Sequence, residues 1–137
     1  MINANELRLG NIVSYKGVIG KVTWIQQECI TIEYPRQNDL SNGSMVSPES
    51  LDGVKLTEKR LLKCGFIYND KYEFPAFDEL IHSDFKWFGI GDFNNKYFII
   101  DFIDQVNTNH HIKYLHQLQN LFQALSQKEL DTTKIFD

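Results

Sequence analysis

The sequence predicts an α+β protein: a small curled β-sheet or barrel at the N-terminus, a short helix, then an antiparallel sheet of three or four strands covered by a C-terminal helix. Three observations predict it. The 137 residues include 10 Phe, 6 Tyr and 2 Trp, and aromatic side chains favour strands. The first 34 residues are a succession of short runs rich in β-branched and aromatic residues, separated by turn formers. One stretch, "YLHQLQNLFQAL" from Tyr114 to Leu125, has the apolar period of a helix.

In chain order, strands are expected around Asn11 to Tyr15, Val18 to Gln26 and Cys29 to Tyr34, with turns at Lys16-Gly17 and Gln27-Glu28. Ile30, Ile32 and Tyr34 alternate with Thr31 and Glu33, so one face of the third strand looks inward. Pro35 to Ser50 is dense in turn formers and reads as a long excursion that orders or not with a partner. "GVKLT" supplies a further strand. Thr57 is the expected N-cap of a short helix that Gly65 terminates in the left-handed conformation, with Leu61 and Leu62 turned inward. "FIYNDKYEF" contains a turn at Asn69-Asp70, and a loop runs through Pro75. "FKWFGIGDFNNKYFIIDFI" is a hairpin turning at Asp92 to Asn95, with Phe85, Trp87, Phe88, Tyr97, Phe98 and Phe102 on both faces. Asn107, Thr108 and Asn109 offer N-caps for a helix that includes His110. The domain division expected is 1–56 for the barrel module and 57–137 for the α+β module.

A chain of this length hides roughly two-thirds of its unfolded surface and needs neither metal nor disulfide to fold. Its 42% hydrophobic and 23% charged residues are those of a globular protein. Cys29 and Cys64 form no CxxC pair, which removes zinc ribbons and redox motifs from consideration and leaves two reduced thiols. "MINANELRLG" has neither a basic start nor an apolar core, and no apolar run approaches the ~20 residues of a membrane span. A cytoplasmic location is therefore expected. The net charge of -4 is uneven: residues 1–34 balance, residues 57–72 carry +2, and residues 73–104 carry -5. The last segment would repel a phosphate backbone.

The helix raises the main functional question. Projected at 100° per residue, Tyr114, Leu115, Leu118, Leu121, Phe122 and Leu125 share one arc, which is the expected buried face. His116, Gln119, Asn120 and Gln123 lie opposite it without a charge among them. Such a face is either solvated or covered, by a partner or by the chain's own long loop. Carboxamides and imidazole can match a backbone without burying a full charge, and interface cores are depleted of charge. These four residues are the candidate partner-binding set.

Chemistry finds little support in the spacing. His110, His111 and His116 share no helix face as an HExxH pair does, so no metal site is expected. "GVIGKV" has two residues between its glycines where a phosphate loop needs four. Asp78, Glu79, Asp84, Asp92, Asp101 and Asp104 lack the lysine spacing of a Mg²⁺-dependent nuclease, and no GxSxG is present. No cofactor is expected. A small hydrolase using His116 with a nearby carboxylate is the weakest of the functional readings.

Three blocks carry a resemblance. "ELRLGNIV" (Glu6 to Val13), "LTEKRLLKCGF" (Leu56 to Phe66) and "YLHQLQNLFQALSQKEL" (Tyr114 to Leu130) resemble those of a family of small uncharacterised proteins from Bacteroidota-type bacteria, their phages and mobile elements. They cover about a quarter of the chain. The family often has Gly where Gln127 stands and an aromatic residue where Cys64 stands. The resemblance implies a mobile-element context and no particular activity. Separately, "LGNIV", a glycine turn and "GKV" make the first 34 residues similar to SH3-like barrels of the KOW or Tudor sort, a fold that does not fix function.

The functional expectation is thus a noncatalytic accessory protein that binds an unidentified protein, with a homo-oligomer as one form of that partner. The alternative is nucleic-acid binding through the barrel by Arg8, Lys16, Lys21 and Trp24, which the acidic charge disfavours.

Overall fold

The computed structural model describes residues 1–35, 43–69, 78–101 and 106–137. The protein is α+β, with two antiparallel five-stranded sheets and a C-terminal helix. Two compact units divide the chain. The first takes Met1–Lys55 with Tyr114–Asn120 and Phe136; the second takes Leu56–Lys113 with Leu121–Ile135 and Asp137. Residues 114–120, grouped by sequence with the second module, fold with the first.

In the first unit, strands β1 (Ile12–Tyr15), β2 (Val18–Gln26), β3 (Cys29–Glu33), β4 (Gly43–Val46) and β5 (Leu51–Gly53) form an open sheet in the order β4-β3-β2-β1-β5. The first four make a meander, and β5 returns beside β1 with Val13 opposite Gly53 and Tyr15 opposite Leu51. Alternation explains the core: Val13, Val22, Ile30, Ile32, Val46 and Leu51 point to one side and are buried together with Ile2. Part of the expected Pro35 to Ser50 excursion is regular structure, since β4 and a 3-10 turn at Pro48–Ser50 lie within it; residues 36–42 of it fall outside the described residues. A bulge at Thr23 interrupts the pairing of β2 with β3 between Val22 and Trp24. Only a glycine fits at Gly53, because a Cβ there would run into the ring of Tyr114.

In the second unit, helix α1 (Glu58–Lys63) starts as its sequence predicts: the Thr57 hydroxyl accepts from Arg60 N–H at 3.2 Å. Gly65 follows it at φ +93°, the left-handed region. Leu61 is fully buried, but Leu62 is 42% exposed and is not the second inward anchor. Strands β6 (Ile67–Tyr68), β7 (Asp78–Ile81), β8 (Phe88–Phe93), β9 (Lys96–Asp101) and β10 (Val106–Ile112) follow one another in space as in sequence. The β8–β9 turn places Asn94 and Asn95 at φ 53° and 63°, the left-handed pair of a tight hairpin. The expected helix through His110 is instead β10, which pairs Ile112 with Tyr97 and His111 with Phe98; polar residues here mark an edge strand. Asp70 to Pro75, Phe102 and Asp104, named above, lie outside the described residues.

Helix α2 (Leu115–Ser126) gives its first six residues to the first unit and its last six to the second. Leu115, Leu118 and Phe122 are fully buried, whereas Leu125, placed by periodicity on the buried arc, is 44% exposed. Phe122 meets Phe85, His82 and Phe66 at ring-centroid distances of 5.3, 4.9 and 6.5 Å. Gln127 ends the helix at φ 59°, its N–H donating to the Gln123 carbonyl at 2.8 Å. A left-handed residue without glycine is thus tolerated there.

Candidate functional site

Three residues of the uncharged face of α2, His116, Gln119 and Asn120, are met by the chain itself. His116 and Gln119 are 1% and 2% exposed, so neither a solvated face nor a partner-covered one describes them. The segment from Glu6 to Ile12 lies on them. Strand β5 pairs with β1 only from Val13 to Tyr15, leaving the Ile12 N–H without a strand neighbour on that side. The Gln119 carboxamide supplies what is missing: its Oε1 accepts from Ile12 N–H at 2.8 Å and its Nε2 donates to the Gly10 carbonyl at 2.9 Å. A carboxamide carries one donor and one acceptor group in the geometry of a peptide, so Gln119 acts as a stand-in strand.

Asn120 extends the arrangement. Its Nδ2 donates to the Glu6 carbonyl at 2.7 Å, and its Oδ1 accepts from Asn11 Nδ2 at 2.9 Å and Arg8 Nε at 3.1 Å. Arg8 also gives Nη2 to the Gln119 carbonyl at 3.3 Å and its backbone N–H to Asn11 Oδ1 at 2.7 Å. His116 Nε2 lies 3.1 Å from Glu6 Oε2, and its ring stacks on Tyr114 at 5.8 Å. A carboxylate oxygen accepts, so Nε2 carries the proton of that bond. The result is a set of hydrogen bonds between two polar stretches, each of which would be hard to bury alone; within it the buried His116 Nδ1 finds no partner among the described residues.

Arg8, expected in a nucleic-acid contact set, is engaged in this network. Lys16 stands at the β1–β2 turn, 5.3 Å above the Tyr15 ring. Lys21 is exposed and has Glu33 as its register partner on β3. Trp24 is 59% exposed. Gln123 is half-buried, lies in the second unit and takes no part in the network. His116 does meet a carboxylate, Glu6, but the imidazole is buried and presents no face to a substrate. Among the described residues no group of three His, Cys, Asp or Glu is placed to hold a metal ion. Burial, with Asp131 adding repulsion, pushes the Cys64 thiol up to about 12, which keeps it protonated and unreactive. Among the described residues no helix is long and apolar enough to cross a membrane.

The exposed apolar side chains form the better candidate surface. In register, Trp24 faces Thr31 on β3 and Thr31 faces Met45 on β4, so the three share one row on the outer face of the sheet. Met45 is 73% exposed. Strict alternation would send Trp24 to the same side as the buried Val22; the extra residue at Thr23 reverses the phase and turns the indole outward. Neither the bulge nor the row is legible from composition, because β2 reads as an unbroken apolar-rich run.

One buried acid stands apart. Glu79 on β7 faces Gly91 and is 4% exposed. Asn69 Nδ2 donates to its Oε1 at 3.3 Å, and Oε2 finds no partner among the described residues. Burial raises its carboxyl above the ordinary range, and the Asn69 bond only partly opposes this. An acid whose folded pKa is raised favours the fold below its unfolded pKa and loses that contribution as pH rises through the folded value. Glu79→Gln is therefore expected to stabilise the protein by about 1–2 kcal/mol at pH 7.5 and to leave it unchanged near pH 4. Urea unfolding at the two pH values checks this.

Comparison with known proteins gives no guide to these surfaces: no family model matches the chain, and neither a curated protein nor a solved structure does.

Proposed function

We propose that the protein is a noncatalytic accessory of phage or mobile-element type that binds another protein through the outer face of its first sheet. The row of Trp24, Thr31 and Met45 carries this reading, with two large side chains 59% and 73% exposed. Tryptophan is enriched among residues that dominate binding energy, and methionine adapts to varied partners. The Thr23 bulge supports it further, since bulges often re-aim a side chain for a task. The order β4-β3-β2-β1-β5 is consistent with an SH3-like module. The mobile-element context comes from the three sequence blocks, two of which pair with one another through Gln119 and Asn120.

A protein partner is favoured over nucleic acid by the charge of this face. Lys21 is matched by Glu33 in register, and Arg8 is held by Asn120 and Gln119. Trp24→Ala is expected to change stability by less than about 0.5 kcal/mol while weakening a purified partner at least tenfold. The partner would be isolated from host extract and titrated against wild type and variant. Equal affinity for both proteins rejects the surface. Quenching of Trp24 by single-stranded DNA or RNA in a Trp87→Phe background, weakening with salt, would replace the protein partner by nucleic acid.

A further inference from the structure

Each sheet has two edge strands, and among the described residues those at three of the four margins are closed or blunted. Beside β5 the Ile2 N–H donates to the Leu51 carbonyl at 3.0 Å, and Lys55, just past the strand, bridges to Tyr114. Strand β6 is two residues long, and a register shift between Asn107 and His111 interrupts β10; short edges and bulges both discourage a further strand. Strand β4 has none of these features. It ends the order β4-β3-β2-β1-β5, pairs with β3 without interruption from Gly43 to Val46, and carries neither a charge nor a proline. Alternate residues of an antiparallel strand turn their N–H and C=O groups away from the neighbour they pair with. On β4 those groups meet no other strand among the described residues, and Gly43 is exposed beside a Met45 that is 73% exposed.

We propose that β4 pairs antiparallel with β4 of a second copy of this chain about a two-fold axis, with Met45 of one copy opposite Met45 of the other. The proposal rests on the reading of Trp24, Thr31 and Met45 as a protein-binding row and names a second copy as the protein. Three features select this occupant. Two-fold pairing is reciprocal, so each free donor and acceptor of one β4 meets its counterpart on the other. The strand has no charge to repel its own copy, the device by which many edges avoid self-pairing. The alternation also fits: residues facing one another across a ladder share a side of the sheet, and an axis at Met45 sets Ser44 against Val46 while joining the two rows of Trp24, Thr31 and Met45 end to end. An axis at Ser44 would instead set each Met45 against Gly43, which offers it no side chain. Pro48, which has no N–H, ends the stretch available for pairing.

Sedimentation velocity of the full chain, from micromolar to submillimolar concentration, tests this. The mass is expected to rise from the 16.0 kDa monomer to twice that value and to stop there, with little dependence on salt. Met45→Lys and Met45→Glu each bring like charges face to face across the axis, so each alone should weaken dimerisation at least tenfold. Mixed in equal amounts, the two variants should recover a heterodimer, and that dimer should weaken as salt is added. Circular dichroism confirms folding of both, which the exposure of Met45 favours. A chain monomeric at every concentration, an oligomer that both variants leave intact, a mixture that does not recover, or growth past the dimer overturns the proposal. A monomeric wild type whose Trp24→Ala variant loses affinity for a purified host protein rejects the second copy and keeps the Trp24 surface.

Discussion

Gln119→Leu should lower stability by about 2–4 kcal/mol, because a side chain of similar size then leaves the buried Ile12 N–H and the partly buried Gly10 carbonyl without their partner. Gln119→Glu separates the contributions. It keeps an acceptor for Ile12 but presents a carboxylate oxygen to the Gly10 carbonyl, so at neutral pH a buried charge meets a lone pair. On acidification the carboxyl can donate in place of Nε2, and the loss relative to wild type should shrink. Urea unfolding at pH 7.5 and pH 4 measures both variants. A Gln119→Leu protein within about 0.5 kcal/mol of wild type would show that water satisfies these groups as well as the carboxamide does.

Phe122→Ala should cost about 3–5 kcal/mol, since it removes the ring on which Phe66, His82 and Phe85 converge. Leu125→Ala, one turn further along the same helix, should cost less than about 0.5 kcal/mol because the side chain is 44% exposed. Thermal unfolding of the pair distinguishes position from residue type: if both truncations cost the same, the burial difference has no energetic meaning. The Leu125 result also bears on how far helical periodicity can be trusted near a helix end, where the arc that packs narrows.

Much of the architecture can be traced to local signals. The strands β1 to β3, the capped helix α1, the β8–β9 hairpin and the C-terminal helix each follow from patterns confined to a few neighbouring residues. What escaped was non-local. β10 carries Asn, Thr and His because only one neighbour, β9, constrains it, and such a strand has no alternation to read. The bulge at Thr23 changes which side of β2 Trp24 occupies, and a one-residue shift leaves no trace in composition. The uncharged face of α2 was visible as an anomaly, and its hydrogen-bonding character was legible. Its partner was not, because Glu6, Arg8, Gly10 and Asn11 lie more than a hundred positions away and a single sequence cannot link the two blocks.

The Gln119 arrangement also sets an order of events. Its bonds to Ile12 and Gly10 span 107 and 109 residues, and the Asn120 bond to Glu6 spans 114. During synthesis the first strands leave the ribosome long before the side chains that complete them, while the second unit is made in between. The N-terminal segment must then wait, with Ile12 N–H unpaired, until residues 119 and 120 have been made. Contacts of such separation slow folding, and a nascent chain released before Tyr114 would present an unfinished sheet margin to its surroundings. Helix α2 is in this sense the fastener of the first strand.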